Sequence, residues 1–222
     1  MANWQKYAAE VYGTFVLVLF GTGAVLASGG DYVAISFAFG LALVVGLFTV
    51  GRVSGGHFNP AVSLGAFLDK RISLSDMLFY WVSQVAGALI ASFALVYLAS
   101  KAAVATTVNA LGGLEAFKGL VGEAILTAIF VMAILVLSKS ASYTKLLGIG
   151  LTLTAVHLAG IGFTSAGVNP ARSLAPAIAS GEFGDVWVFL LGPAVGAILG
   201  WVLYKFIVTG DTDLTDDVRG MM

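Results

Sequence analysis

The chain has 222 residues, of which 59% are hydrophobic and 10% charged, with a formal net charge of −1. Soluble domains carry about 25% charged residues, so a single soluble core of this length has no use for so much apolar surface. A near-neutral chain with 11 Lys and Arg is not a nucleic-acid binder working through a basic face, and a chain without cysteine has no disulfide, thiolate nucleophile or Cys-ligated metal.

A helix rises about 1.5 Å per residue, so crossing a hydrocarbon layer of ~30 Å takes about 20 residues. Six stretches meet that length, at residues 7–28, 32–51, 77–100, 119–138, 145–163 and 186–208. The first begins after Lys6 and runs past the length of a cleavable secretory signal. The loop between the third and fourth spans is short, which says little about selectivity. Residues 209–222 form a short acidic tail containing Asp211, Asp213, Asp216 and Asp217, expected to be a solvated end.

Two further segments differ from the spans. Residues 54–61 read Ser-Gly-Gly-His-Phe-Asn-Pro-Ala, residues 164–171 read Thr-Ser-Ala-Gly-Val-Asn-Pro-Ala, and an apolar run of about ten residues follows each. Ten helical residues reach only about half-way across a membrane. Asn59 and Asn169 suit an N-cap, and Pro60 and Pro170 suit the first helical position ahead of Ala61 and Ala171. Two half-helices, each preceded by non-helical backbone, are therefore expected. Such backbone is tolerated at membrane depth only where it is buried or lines a water-filled cavity, which points to a pore.

The halves also match one another in order. Glu10-x-x-x-Thr14 pairs with Glu123-x-x-x-Thr127, Asn59 with Asn169, and Gln84-x-x-Gly87 with Pro193-x-x-Gly196, at offsets of 113, 110 and 109 residues. One order with nearly one offset indicates a duplication. Each repeat, about 7–100 and about 119–208, has three full spans, so the second must run in the opposite sense. The expected fold is a single all-α integral membrane channel domain over 1–222, with six transmembrane helices, two re-entrant half-helices and an inverted 3+3 repeat. Gly192, Gly196 and Gly200, with Gly87 in the first repeat, have the spacing of close helix packing.

Charge sets the orientation. With the N-terminus inside, Lys6, Arg52, Lys70, Arg71, Lys139, Lys145, Lys205 and Arg219 face the cytoplasm, and only Lys101 and Lys118 lie outside. Both termini are then cytoplasmic. The first half-helix starts at mid-membrane and runs inward while the second starts there and runs outward, so their positive ends meet at the centre. That arrangement repels cations, hydronium included. Arg172 stands on the third residue of the second half-helix, against the dipole and at a cost of roughly 2.5–3.5 kcal/mol at membrane depth. A pore-lining donor explains it best. His157, twelve residues before Asn169, joins it as a candidate. His57 is expected to anchor its loop through its ring, and Glu10 and Glu123 to accept hydrogen bonds from re-entrant backbone that lacks helical partners.

With these residues in view, the chain resembles the aquaporins of the major intrinsic protein family from Glu10 to about Tyr204. The resemblance rests on Ser-Gly-Gly-His57-Phe-Asn59-Pro-Ala-Val and Val-Asn169-Pro-Ala-Arg172-Ser173, 110 residues apart in a duplicated six-span chain. It implies a homotetramer with one pore per subunit. It also implies an outer selectivity filter formed by Phe39, His157, Arg172 and the backbone carbonyl of Ala166. Phe, His and Arg there resemble the water-selective branch, and Ser173 stands where glycerol facilitators usually carry Asp. Leu190 resembles the glycerol branch instead. The expected function is a passive water channel in the cell membrane that excludes protons and ions. The alternatives are an aquaglyceroporin and a structural protein of the same fold that conducts little. No polar residues form a nucleophile–base set, so neither enzyme activity nor a cofactor or metal is expected.

Overall fold

A computed structural model describes residues 3–210, so Arg219 and the tail aspartates Asp211 to Asp217 lie outside the described residues. In chain order the helices are Asn3–Ala27 (α1), Tyr32–Ser54 (α2), Pro60–Leu68 (α3), Leu74–Leu98 (α4), Lys101–Ala105 (α5), Ala116–Leu137 (α6), Thr144–Thr164 (α7), Pro170–Ser180 (α8) and Val186–Leu203 (α9). A π-helical stretch, Tyr204–Thr209, extends α9. No strand occurs among the described residues. Six helices are long and apolar enough to cross a membrane, each overlapping its expected span. The short α5, capped by Ser100 through Ala103 N–H, is an addition that hydropathy did not signal.

Local chemistry sets the helix ends. Asp31 Oδ1 accepts from Val33 and Ala34 N–H at 2.8 and 3.2 Å and starts α2, and Gly55 ends it at φ 97°. The two half-helices, α3 and α8, have 9 and 11 residues and a proline at their first position. At 1.5 Å per residue they span roughly 14 and 17 Å, half a bilayer core.

Packing repeats in pairs: α1 lies against α2 and α4, and α6 lies against α7 and α9 in the same way. The halves join through α2 on α7 and through a crossing of the half-helices, α3 packing on α9 and α8 on α4. Each repeat therefore completes the other's core. Polarity is arranged for a bilayer. Glu10, Gln84, Glu123, His157 and Arg172 are buried, while Phe20, Leu41, Phe48, Phe93, Ile125 and Leu151 are exposed.

Close approach of the paired helices depends on glycine at matched positions. A Cβ on Gly87 would run into the backbone carbonyl of Val11 in α1. One on Gly196 would meet Ala124 O of α6 at 2.5 Å, and one on Gly200 would meet Ala128 O at 2.6 Å. Neighbouring backbone cannot swing aside as a side-chain tip can. Overpacking a fitted interior costs typically 1–3 kcal/mol, and main-chain collision lies at the upper end. Gly87→Val and Gly196→Val should each lower the thermal midpoint of the detergent-solubilised protein by several degrees and reduce its monodisperse yield. A melting curve like that of the wild type would mean that the helix pairs can separate without cost.

Candidate pore

The site starts from a problem of backbone hydrogen bonding. The loops ahead of α3 and α8 are non-helical at mid-membrane, where an unpaired N–H costs several kcal/mol. Buried carboxylates supply the partners. Glu10 Oε1 accepts from Ser54 Oγ at 2.6 Å and His57 N–H at 3.0 Å, and Oε2 accepts from Phe58 N–H and Gln84 Nε2, both at 2.7 Å. Glu123 Oε1 accepts from Gly167 N–H at 2.8 Å and Oε2 from Val168 N–H at 2.7 Å. Phe58 and Val168, 110 positions apart, both take left-handed backbone, at φ 51° and 40°. Each holds this rare conformation through a carboxylate on its N–H and an amide on its carbonyl.

Those amides come from the opposite repeat. Asn59 Nδ2 donates to Val168 O at 2.8 Å, and Asn169 Nδ2 donates to Phe58 O at 2.9 Å. Their Oδ1 atoms cap their own helices, accepting from Ala61 N–H at 2.8 Å and from Ala171 and Arg172 N–H at 3.1 and 3.2 Å. An amide has two N–H bonds, so each Asn keeps one further donor after capping and cross-bracing.

The other motif residues turn away from this point. Pro60 and Pro170 line an apolar cleft of about 320 Å³ between α4 and α9, where Trp81 Nε1 donates to Pro60 O at 3.0 Å. Ala61 and Ala171 are buried in two separate apolar clusters. Leu190 also lies in the cleft, not along the narrow cavity, so its resemblance to the glycerol branch carries no information about width.

A constriction lies beside the junction. Asn59, Asn169, Phe39, His57, His157 and Arg172 line a cavity that leaves about 10 Å³ for the centre of a water molecule. That is about the room of one water. The rings of Phe39 and His157 stack at 4.5 Å and 20°, and the Arg172 guanidinium carbon sits 5.2 Å from the Phe39 centroid. His157 Nδ1 lies 3.0 Å from Leu153 O. A carbonyl only accepts, so Nδ1 carries a proton and Nε2 is left as the free edge of the ring. His157 Nε2 and Arg172 Nε are both buried without a protein partner among the described residues. Ala166 is fully buried in the loop, one residue before Gly167 and Val168, which line the cavity. His57 Nδ1 lies 3.0 Å from Ser63 Oγ, which also accepts from Gln84 Nε2 at 2.9 Å, so the ring ties its loop to α3 while lining the pore.

The structure adds residues that the sequence did not suggest. Arg172 Nη1 donates to Asn109 Oδ1 at 2.5 Å and to Thr107 O at 3.4 Å. Ser165 Oγ and Ala110 N–H bind this segment to the second re-entrant loop. The short loop after the third span thus holds Arg172 in place. A lone Asn in a loop has no spacing that would single it out.

The duplication also identifies the matched positions at which the two cavities differ. Counting 110 positions across the repeats pairs Phe39, His157 and Arg172 with Ile149, Leu47 and Val62. All three partners line a wider inner cavity of about 290 Å³. Equivalent positions thus carry large polar or aromatic groups at one mouth and aliphatic groups at the other.

Comparison with known proteins agrees with this geometry. The family model described as "Major intrinsic protein" matches residues 1–204. The chain is 40% identical to "Glycerol uptake facilitator protein-like 6" of Lactiplantibacillus plantarum over 88% of this chain and 94% of that one. It is 37% identical to "Aquaporin Z" of Brucella melitensis over 93% and 99%, and 35% identical to "Aquaporin-4" of Mus musculus over 96% and 70%. Its fold matches the aquaglyceroporin of Plasmodium falciparum with a TM-score of 0.85 at 24% identity, covering 94% of this chain and 98% of that one. Six apolar spans, two crossed half-helices and these relatives lead to one conclusion: the chain belongs to the major intrinsic protein family, whose members are multi-pass membrane channels for water or small solutes and not enzymes.

Proposed function

We propose that this channel is selective for water and excludes glycerol, ions and protons. The observation that carries the reading is the constriction: about 10 Å³ of water-centre space beside the stacked Phe39 and His157 rings and the Arg172 guanidinium. A carbon chain needs more width than that. Arg172 Nε donates to a passing oxygen and His157 Nε2 offers a second contact, so a dehydrating water regains part of its hydrogen bonding. Ala166 contributes to the same outer filter through its loop.

At the centre, the free N–H of Asn59 and of Asn169 would donate to a single water oxygen. That water's hydrogens then point toward the two mouths, and no continuous proton wire forms. The α3 and α8 dipoles add about half a positive charge each. A cation about 5 Å from one unit charge, at an effective dielectric near 20, is opposed by about 3 kcal/mol before dehydration is counted. Pro60, Ala61, Pro170 and Ala171 set the half-helix starts, and Glu10, Glu123 and His57 hold the loops. The two repeats share one channel domain, in homotetramers with one pore per subunit, as the family resemblance implies. Lys6, Arg52, Lys70, Arg71, Lys139, Lys145 and Lys205 favour a cytoplasmic position for that end of the bundle in a cell membrane, with Lys101 and Lys118 outside.

A second reading has its own support. The 40% identical relative carries the name of a glycerol uptake facilitator-like protein, so passage of glycerol is the competing function. Stopped-flow light scattering on proteoliposomes, with water and glycerol gradients side by side, separates the two. Water permeability well above protein-free vesicles with no glycerol permeability is expected. Transport of both would favour the competing reading, and transport of neither would favour a structural role.

Two variant sets test the filter. Phe39→Trp with His157→Gly should admit glycerol while water still passes, and unchanged glycerol exclusion would move the constriction elsewhere. Arg172→Val should raise cation and proton leak on the order of tenfold to a hundredfold, with the dipoles retaining part of the barrier. Asn109→Ala removes a hydrogen bond to a charged group, worth about 1.5–3 kcal/mol, and should raise leak less. Because Asn109 acts through Arg172, the double variant should leak no more than Arg172→Val alone. Additive leak would assign Asn109 a different role.

A further inference from the structure

The wider cavity of about 290 Å³ shares Leu43, His57 and Phe130 with the constriction, so it continues the pore. Its walls come from opposite repeats. Val62 and Ala66 of α3 line one side, and Val131, Ile134 and Leu135 of α6 line the other. Among the described residues Arg71 is the only Lys, Arg, Asp or Glu side chain on this lining. Lys70, at φ 56°, makes the left-handed turn that lets Arg71 N–H donate to Ala66 O at 2.9 Å. The Arg71 backbone therefore moves with the end of α3. Its side chain ends on the other repeat. Nη2 donates to Leu135 O at 2.7 Å and Nη1 to Ser138 Oγ, both at the C-terminal turn of α6. Nε donates to Asp69 Oδ2 at 2.7 Å, which fixes the direction of the guanidinium from behind. A helix leaves its last carbonyls unpartnered, and α3 and α6 both end here with the negative pole of their dipoles. One guanidinium serves both ends. Gly181 stands at the matching position 110 residues on, so the outer end has no counterpart of this side chain.

We propose that Arg71 is a positioning residue that ties the two repeats across the inner cavity and holds it open. The facing α3 and α6 walls are apolar, and removing apolar surface from water is favourable, so a wet gap between them tends to close. A Cβ on Gly65 would stand 2.6 Å from Val131 Cγ1, so the same two helices already touch one turn back along α6. Bonds from one planar guanidinium set their separation beyond that contact. An ammonium carries the charge but lacks the fork that reaches two acceptors at once. The charge itself is answered by Asp69, which separates this task from cation exclusion at Arg172. The inference rests on the pore conducting water, as proposed above, and not on the exclusion of glycerol.

Stopped-flow water permeability per reconstituted subunit, with the wild type alongside, tests the tie. Arg71→Ala should lower permeability several-fold and raise its activation energy. Cation and proton leak should stay at wild-type levels, because the outer filter is untouched. Arg71→Lys should not recover the flux. Ser138→Ala removes one acceptor and should give a smaller fall, with no further fall when combined with Arg71→Ala. If Arg71→Ala does not fold, Arg71→Lys and Ser138→Ala carry the same comparison. A covalent bridge gives an independent readout. The chain has no cysteine, so a thiol reagent acts on Arg71→Cys with Ser138→Cys at those two positions alone. A bifunctional thiosulfonate as long as an arginine side chain should restore the flux, and a singly reactive cationic thiosulfonate should not. Wild-type flux in folded Arg71→Ala, whether or not its melting curve is lowered, overturns the proposal. Full recovery in Arg71→Lys or with the cationic reagent also overturns it, by making charge the active property. A wild type without water flux would instead overturn the proposed function, and glycerol flux through the same variants would then read the tie.

Discussion

The rest of the structure depends on two loops that leave the helical ladder at mid-membrane and must still satisfy every polar group they expose. Water is absent from the surrounding hydrocarbon, so the partners have to come from the chain itself. They come from two directions. Glu10 and Glu123 take the loop N–H groups within each repeat, and Asn59 and Asn169 take the loop carbonyls across the repeats. Neither half can make this junction alone. The crossing of α3 onto α9 and α8 onto α4 is the packing expression of the same dependence.

What that junction gains is a polar point with unspent donors. The Asn oxygens are consumed by capping and one amide proton each by the partner loop, which fixes the direction of the remaining proton. A flexible polar side chain would find some internal partner. These two are held, because two of the four bonding sites on the Asn59 amide and three of those on Asn169 are already committed. Rigidity here is a product of bond accounting, not of tight apolar packing.

The two repeats also depart from symmetry. The repeats share helix packing, glycine contacts and carboxylate brackets, yet Phe39, His157 and Arg172 face Ile149, Leu47 and Val62 at matched positions. The cavity lined by the first set has about 10 Å³ of room and the one lined by the second about 290 Å³. The carboxylate brackets differ as well. Gln84 and Ser63 extend the Glu10 network, whereas the position matching Gln84 is Pro193, and Glu123 serves its loop without an amide neighbour.

Much of this was legible in the chain as written. Long apolar runs identify the six spans because a bilayer of fixed thickness imposes one helix length. Asn and Pro at half-length segments identify the re-entrant helices because capping chemistry is local. The 110-residue offset identifies the inverted repeat, and the cost of Arg172 at membrane depth marks it as a residue with a task. Other features were decided only by tertiary structure. Which carbonyl each Asn would brace, the seating of Arg172 on Asn109 and Thr107, the removal of Leu190 from the pore wall and the reach of Arg71 to Leu135 and Ser138 all join residues distant in sequence. Hydropathy and capping are properties of neighbours along the chain. Hydrogen bonds between loops depend on where the crossed helices bring those loops, and no spacing in the sequence encodes that distance.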